Sequence, residues 1–188
     1  NDEDKHLMNQ KVAVFPLIPC NSCVHCSSQK HNLCENYNYL GSRSDGAFAQ
    51  YVIVPKENLI PLPNNVSYDE AALIEPMAVV LRGLKKLPPL THHNVLVLGL
   101  GPIGALAGIF AKKLGANSVC GIDRNEYKRK IAQQAGFDAV HSPQQDLSGK
   151  NLNVLIDCSG ASELINANIH SLQKESSILL LGNHQQDF

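Results

Sequence analysis

Four cysteines fall within fifteen positions of one another: Cys20-Asn21-Ser22-Cys23-Val24-His25-Cys26 and, after seven more residues, Cys34. Thiolates are soft donors suited to Zn²⁺, and four of them close a tetrahedral shell. The two-residue gaps let a tight turn aim neighbouring sulfurs at one ion. The longer gap lets the loop fold back with the fourth. With no open coordination position, such a zinc is structural. Two disulfides, or free thiols, are the alternative use of these residues. Clustering in a chain with an α/β pattern favours the metal and fits a reducing cytoplasm. His25 and His31 could substitute as ligands, but four cysteines leave them no vacancy, and both are expected to be exposed. Cys120 and Cys158 lie in apolar strands and are expected to be inert.

A second chemical pattern runs from Val95 to Asp123. Val95-Leu96-Val97-Leu98 leads into Gly99-Leu100-Gly101-Pro102-Ile103-Gly104. Apolar residues then recur at Ile103, Leu106, Ala107, Phe110, Ala111 and Leu114, which is helical spacing. Gly115 stands where a helix ends. An apolar run from Ser118 to Ile122 ends on Asp123, nineteen residues after Gly104. G-x-G-x-x-G therefore joins a strand to a helix inside a βαβ unit, with an acid at the next strand end. Gly99 permits the turn, Gly101 lets backbone approach a pyrophosphate, and Gly104 lets helix and sheet pack closely. The helix N-terminus, from Ile103 onward, offers unpaired N–H groups, and Pro102 suits a first turn, where its missing N–H is no loss. Asp123 would accept from the adenosine ribose hydroxyls. The same unit also holds S-adenosylmethionine in other proteins, so this stretch leaves the ligand class open.

The elements that must position these residues follow in order. Val12, Val14 and Phe15 open a strand that Pro16 stops. A turn-rich loop, Gly41-Ser42-Arg43-Ser44-Asp45-Gly46, precedes an expected strand at Ala47 to Val54, and Leu59 to Leu62 suggest another. Ser67 or Asp69 can cap a helix opening at Tyr68, and Met77 to Leu87 reads as a helix. After Asp123 come a helix from Asn125 to Ala135, a strand from Asp138 to His141 and a strand from Val154 to Asp157. A helix from Ala161 to Leu172 and a strand from Ser177 to Leu181 complete the pattern. Five strands alternating with helices from Val95 onward predict a parallel, doubly wound α/β sheet of Rossmann type, one strand short of six.

The 188 residues carry a net charge of −1 and are 44% hydrophobic. No basic stripe favours a nucleic-acid partner, and no apolar run is long enough to span a membrane. The first residue is Asn1, not methionine, and both natural ends are expected to lie outside this sequence.

C-x2-C-x2-C-x7-C together with the glycine unit and its acid resembles the zinc-dependent medium-chain alcohol and polyol dehydrogenases. Asp45-Gly46-Ala47-Phe48-Ala49-Gln50-Tyr51 and Leu73-Ile74-Glu75-Pro76 are similar to further motifs of that family. Within it, Gly41 to Gly46 and Gly182-Asn183-His184-Gln185-Gln186-Asp187 resemble the galactitol-1-phosphate 5-dehydrogenase group.

The resemblance implies part of a GroES-like catalytic domain over residues 1–75 and part of an NAD-binding domain over 76–188. It implies Glu75 at a catalytic metal, as ligand or through its water; the alternative is an acid stabilised at a helix N-terminus. It further implies Lys128 on the adenosine ribose, Arg124 against the adenine, and Gly160 and Gly182 beside the ribose and nicotinamide. Arg43 is a candidate for a substrate phosphate, or else a surface partner of Asp45 or Glu35. The expected reaction moves hydride between NAD and a polyol or polyol phosphate, in a homodimer or homotetramer in the cytoplasm. The cysteine and Gly-His-Glu motif that hold the family's catalytic zinc do not occur in residues 1–188. A sorbitol-, threonine- or butanediol-type enzyme, and a relative that binds zinc and cofactor without turnover, are the alternatives. A zinc-ribbon nucleic-acid binder is a further one, disfavoured by charge.

Overall fold

The structure is a computed structural model that describes residues 7–184. Gln185, Gln186 and Asp187 of the C-terminal motif lie outside the described residues. The chain forms two compact units, Asn1–Glu75 and Pro76–Phe188.

In the first unit, β1 (Val12–Val14) pairs antiparallel with β4 (Leu59–Pro61), and β2 (Leu17–Ile18) pairs with β3 (Asn38–Tyr39). Pro16 separates β1 from β2. The buried Asn58 amide spans that break, donating to Phe15 O at 2.6 Å and Leu17 O at 2.9 Å. α1 (Val24–Ser27) lies within the cysteine lobe. α2 (Tyr68–Ala71) is capped by Ser67 and not by Asp69: Glu70 N donates to Ser67 Oγ, and Ser67 N to the Glu70 carboxylate.

The expected strand at residues 47–54 does not form. A strand is defined by ladder bonds, and no described strand pairs with this segment. Its large apolar side chains are left outside, with Phe48, Tyr51 and Ile53 fully or almost fully exposed.

α3 (Ile74–Leu84) starts earlier and ends earlier than the expected Met77–Leu87. Pro76 is tolerated in its first turn, where an N–H has no intrahelical acceptor. At its end the backbone tightens: Lys86 N donates to Gly83 O, and Leu87 N to Leu84 O.

The second unit is the expected doubly wound sheet. β5 (Asn94–Leu98), α4 (Pro102–Lys113), β6 (Ser118–Ile122), α5 (Glu126–Gln134), β7 (Ala139–His141), β8 (Leu152–Asp157), α6 (Ser162–Asn168) and β9 (Leu172–Leu180) follow in order. The sheet runs β7-β6-β5-β8-β9, all parallel. The chain goes from β5 to β6 on one side and later returns to β8 on the other. A crevice therefore opens at the C-terminal ends of β5 and β8, where ligands of such sheets bind.

Strand alternation divides the core. Val95 and Val97 pack with Val80, Leu84, Ala107 and Ala111 on one face, and Leu96 and Leu98 with Leu147 and Ile165 on the other. β9 begins before the expected Ser177. Leu172 pairs with Leu152 and Ser177 with Val154, so residues 173–176 form an irregularity around Glu175, whose φ is +62°. Polar bulged residues hid that end of the strand. α6 correspondingly stops at Asn168 and passes through a 3₁₀ turn, Ile169–Ser171.

Candidate functional site

Two sites emerge, one in each unit. In the first, the Sγ atoms of Cys20, Cys23, Cys26 and Cys34 lie within 4.8 Å of one another, and all are free thiols. Cys20 and Cys26 sulfurs are 3.9 Å apart. A tetrahedral zinc with Zn–S bonds of about 2.3 Å separates its sulfurs by roughly 3.8 Å, so the cluster fits that ion. α1 carries Cys26 inward, and Cys34 follows a 3₁₀ turn, His31–Leu33, that brings it back. The Cys20 N–H donates to Cys34 Sγ at 3.2 Å, a bond that favours a thiolate acceptor. The Ser22 hydroxyl, with the Ser22 and Cys23 N–H groups, pulls the Cys20 thiol down to about 5. Burial and the neighbouring thiols push Cys26 up to about 12. Neither His25 nor His31 belongs to the cluster. His31 is exposed, whereas His25 is half-buried with Nε2 3.9 Å from the Glu35 carboxylate.

The second site is a pocket of about 560 Å³ at the C-terminal ends of β5, β6 and β8. It brings together Gly99, Gly101, Asp123, Arg124, Lys128 and Ser159. Gly99 has φ +83°, which only glycine adopts without strain, and an added Cβ would meet Ser159. A Cβ at Gly104 would run into the Gly99 carbonyl oxygen, so the start of α4 rests directly on the turn. A Cβ at Gly101 would meet nothing within 4 Å. The loop thus leaves bare backbone facing open space at Gly101, the cradle that a pyrophosphate needs. Pro102 opens α4, and the first intrahelical bond runs from Ala105 N to Gly101 O; the Ile103 and Gly104 amides precede it.

Asp123 is only 8% exposed. Its Oδ2 accepts from Leu100 N at 2.8 Å and its Oδ1 from Asn125 N at 2.7 Å. The carboxylate therefore braces the glycine loop from behind, with lone pairs remaining for a ribose hydroxyl. Arg124 and Lys128 are exposed on the rim. The neighbouring Arg129, which the sequence did not suggest, donates to the Asp123 carbonyl at 2.7 Å.

Gly160 and Gly182 do not line this pocket. They sit behind its wall, where a Cβ at Gly182 would collide with Asp157 Oδ2 and Gly160 N. Sequence reasoning missed the fully buried Asp157, which holds the turn behind the pocket wall: it accepts from Ser159 N, Ser159 Oγ and Gly160 N. The available signal was an acid ending the apolar run Val154-Leu155-Ile156.

The remaining candidates stand apart. Glu75 is exposed in the first turn of α3, and the four thiols form the one potential metal-ligand group among the described residues. Arg43 pairs with neither Asp45 nor Glu35 in the contacts observed. Its guanidinium lies 4.0 Å over the Tyr37 ring and donates to Tyr37 O and Tyr37 Oη at 3.3 and 3.1 Å. A cleft of about 850 Å³ in the first unit is lined by Gly41, Ser44, Asp45 and Gly46, and Arg43 is not in its wall.

A Rossmann-type sheet with a glycine cradle, joined to a GroES-like unit carrying a four-thiol lobe, defines the class as that of the zinc-binding dehydrogenases. Residues 102–188 match the family model for zinc-binding dehydrogenases, and residues 4–64 that for the alcohol dehydrogenase GroES-like domain. The chain belongs to the zinc-dependent alcohol and polyol dehydrogenase family. It is 30% identical to galactitol 1-phosphate 5-dehydrogenase of Escherichia coli K12 over 94% of this chain and 54% of that one. It is 33% identical to L-threonine 3-dehydrogenase of Symbiobacterium thermophilum over 88% and 49%. A protein of Sinorhizobium meliloti 1021, described as a zinc-binding dehydrogenase and bound to NADP, superposes with a TM-score of 0.86 at 28% identity, over 95% of this chain and 56% of that one. The chain spans about half the length of the curated relatives it matches.

Proposed function

We propose that the chain is the zinc-lobe and coenzyme-binding portion of an NAD-dependent polyol dehydrogenase whose substrate is a sugar-alcohol phosphate such as galactitol 1-phosphate. The observation that carries this reading is the Gly101 cradle, open at one end of a pocket whose other side is the Asp123 carboxylate. Gly101 and the α4 N-terminus would receive the pyrophosphate, and Asp123 the adenosine ribose. Lys128 and Arg124 would close over the ribose and adenine from the rim, and the turn after β8 would support the nicotinamide half. When bound, the nicotinamide supplies the hydride acceptor for an alcohol carbon. Cys20, Cys23, Cys26 and Cys34 would hold a structural zinc.

Glu75 keeps the role the resemblance implies, beside a catalytic metal as a ligand or through its water. No ligand set for a second metal forms around it among the described residues. The enzyme acts in the cytoplasm as a homodimer or homotetramer. Among the described residues, no helix is long and apolar enough to cross a membrane.

Phosphate recognition is assigned to Arg43 and Ser42. An arginine fork matches phosphate oxygens bidentately, and its hydrogen bonds to a charged group are worth roughly 1.5–3 kcal/mol. This requires Arg43 to leave Tyr37. Its present stacking on Tyr37 favours a second reading, in which the substrate is an unphosphorylated polyol or an amino alcohol, as the name of the L-threonine 3-dehydrogenase relative suggests. Kinetics of the full-length enzyme separate the two. Arg43→Ala raises the Michaelis constant for galactitol 1-phosphate about ten- to a hundredfold and leaves that for an unphosphorylated polyol in place. An equal effect on both, or none, assigns the substrate to the second reading.

A further inference from the structure

The chain leaving β9 is tied to the turn leaving β8 through one buried acid. Asp157 ends β8 and is fully buried, and the chain after β9 wraps around it. Its carbonyl accepts from Leu181 N at 2.8 Å and Gly182 N at 3.0 Å. Its carboxylate accepts from Ser159 N, Ser159 Oγ and Gly160 N at 3.1, 2.6 and 3.2 Å. On the far side, His184 Nε2 stands 3.0 Å from Asp157 Oδ2, with its side chain 10% exposed. An N–H at Nε2 would be attracted to a carboxylate at that distance. The other ring nitrogen, Nδ1, lies 3.4 Å from Ser162 Oγ, at the first residue of α6. One imidazole therefore bridges the end of β8 and the start of α6.

The turn so held is a wall of the pocket. Cys158, Ser159 and Ala161 line it, and Ser159 closes on Gly99, where any side chain would collide with it. Gly160 adopts φ +68° to make the turn. Asp123 stands on the β6 side of the switch point and serves the adenosine half. The turn after β8 stands on the opposite side, where the other half of an extended dinucleotide must lie.

We propose that His184 is a positioning residue. Its contact with the Asp157 carboxylate locks the β9 exit onto the β8 turn and so fixes the wall that supports the nicotinamide half. The assignment rests on the dinucleotide reading for its ligand, but not for the lock itself.

Two variants isolate the contact. Glutamine places its amide nitrogen where Nε2 lies, whereas asparagine reaches only as far as Nδ1. The unliganded 188-residue chain is followed by amide hydrogen exchange at Ser159 and Gly160, and NADH affinity by the enhancement of its own fluorescence. His184→Gln retains the protection and affinity of the unsubstituted chain. His184→Asn loses protection at both amides at least tenfold and binds NADH about tenfold more weakly. Ser162→Ala, which spares the Asp157 contact, gives a smaller effect on both and serves if the asparagine variant does not fold. Unchanged exchange in His184→Asn, or equal losses in His184→Gln and His184→Asn, overturns the lock. Lost protection with unchanged NADH affinity overturns its role in the cofactor site. If the unsubstituted chain does not bind NADH, the dinucleotide reading fails while the exchange data still decide the lock.

Discussion

Asp123 Oδ2 accepts a hydrogen bond from the Leu100 N–H at 2.8 Å, joining the end of β6 to the middle of the glycine loop. The acid that the sequence marks for a ribose thus also shapes the loop for a pyrophosphate. Asp123→Ala leaves Leu100 N and Asn125 N without their acceptor. Loss of a buried acceptor costs about 1–3 kcal/mol, and urea unfolding should show destabilisation in that range.

The same carboxylate should favour NAD over NADP. A 2′-phosphate about 4 Å from Asp123 is repelled by roughly 4 kcal/mol at an effective dielectric of 20, and tenfold selectivity needs only about 1.4 kcal/mol. Arg124 and Lys128 on the rim oppose this, and a related structure was solved with NADP. Because Asp123 is pinned by two backbone N–H groups and the rim cations are exposed, the carboxylate prevails. Parallel titrations should give at least tenfold tighter NADH than NADPH. Asp123→Ser should narrow the ratio. Equal affinities in the unsubstituted chain contradict the assignment.

For the thiol lobe, elemental analysis of protein handled without chelators should return one zinc per chain. Cys23→Ser should fall below half an equivalent and loosen the unit, because metal binding supplies folding free energy. A full complement of metal in Cys23→Ser would remove that residue from the ligand set.

A pH dependence follows from Asp138. Burial alone would raise its pKa, but the Lys112 hydrogen bond, the Val119 N–H and the Lys112 charge outweigh burial and hold the carboxyl below its ordinary value of 3.8. Lys112 Nζ stands 2.6 Å away, and Val119 N donates at 2.6 Å. A depressed folded pKa means stability that is present above pH 3.8 and is lost as pH falls through the folded value. Since Asp138 is 43% exposed, solvent screening limits the pair to under about 1 kcal/mol. Asp138→Asn should therefore be slightly less stable than the unsubstituted chain at pH 7, with the difference vanishing as pH falls through the folded pKa of Asp138. A difference that grows on acidification would contradict this sign.

What the sequence disclosed was what local chemistry dictates. Cysteine spacing brings four sulfurs together because the gaps are short, and Gly99, Gly101 and Gly104 act within one turn. Ser67, one of two cap candidates, caps α2 and accepts from Glu70 N. The false strand at 47–54 shows the limit: an apolar run describes side chains, but a strand needs a neighbour, and none is paired there among the described residues. Contacts between distant positions were invisible for the same reason. Nothing near Asp157 announces His184, and nothing near Arg43 distinguishes Tyr37 from the acids around it.

Two glycines separate folding from binding, and they test the central claim most directly. A methyl group at Gly104 strikes the Gly99 carbonyl, whereas one at Gly101 strikes nothing of the protein and intrudes only where the pyrophosphate would lie. The measurement is NADH titration by its own fluorescence, since the chain has no tryptophan, paired with the thermal unfolding midpoint of each protein. The unsubstituted chain should bind one NADH saturably. Gly101→Ala should keep the midpoint and bind at least tenfold more weakly, while Gly104→Ala should lower the midpoint, as an overpacked site that loses about 1–3 kcal/mol of stability does. Absence of saturable binding by the unsubstituted chain, or undiminished binding by Gly101→Ala, would contradict the account.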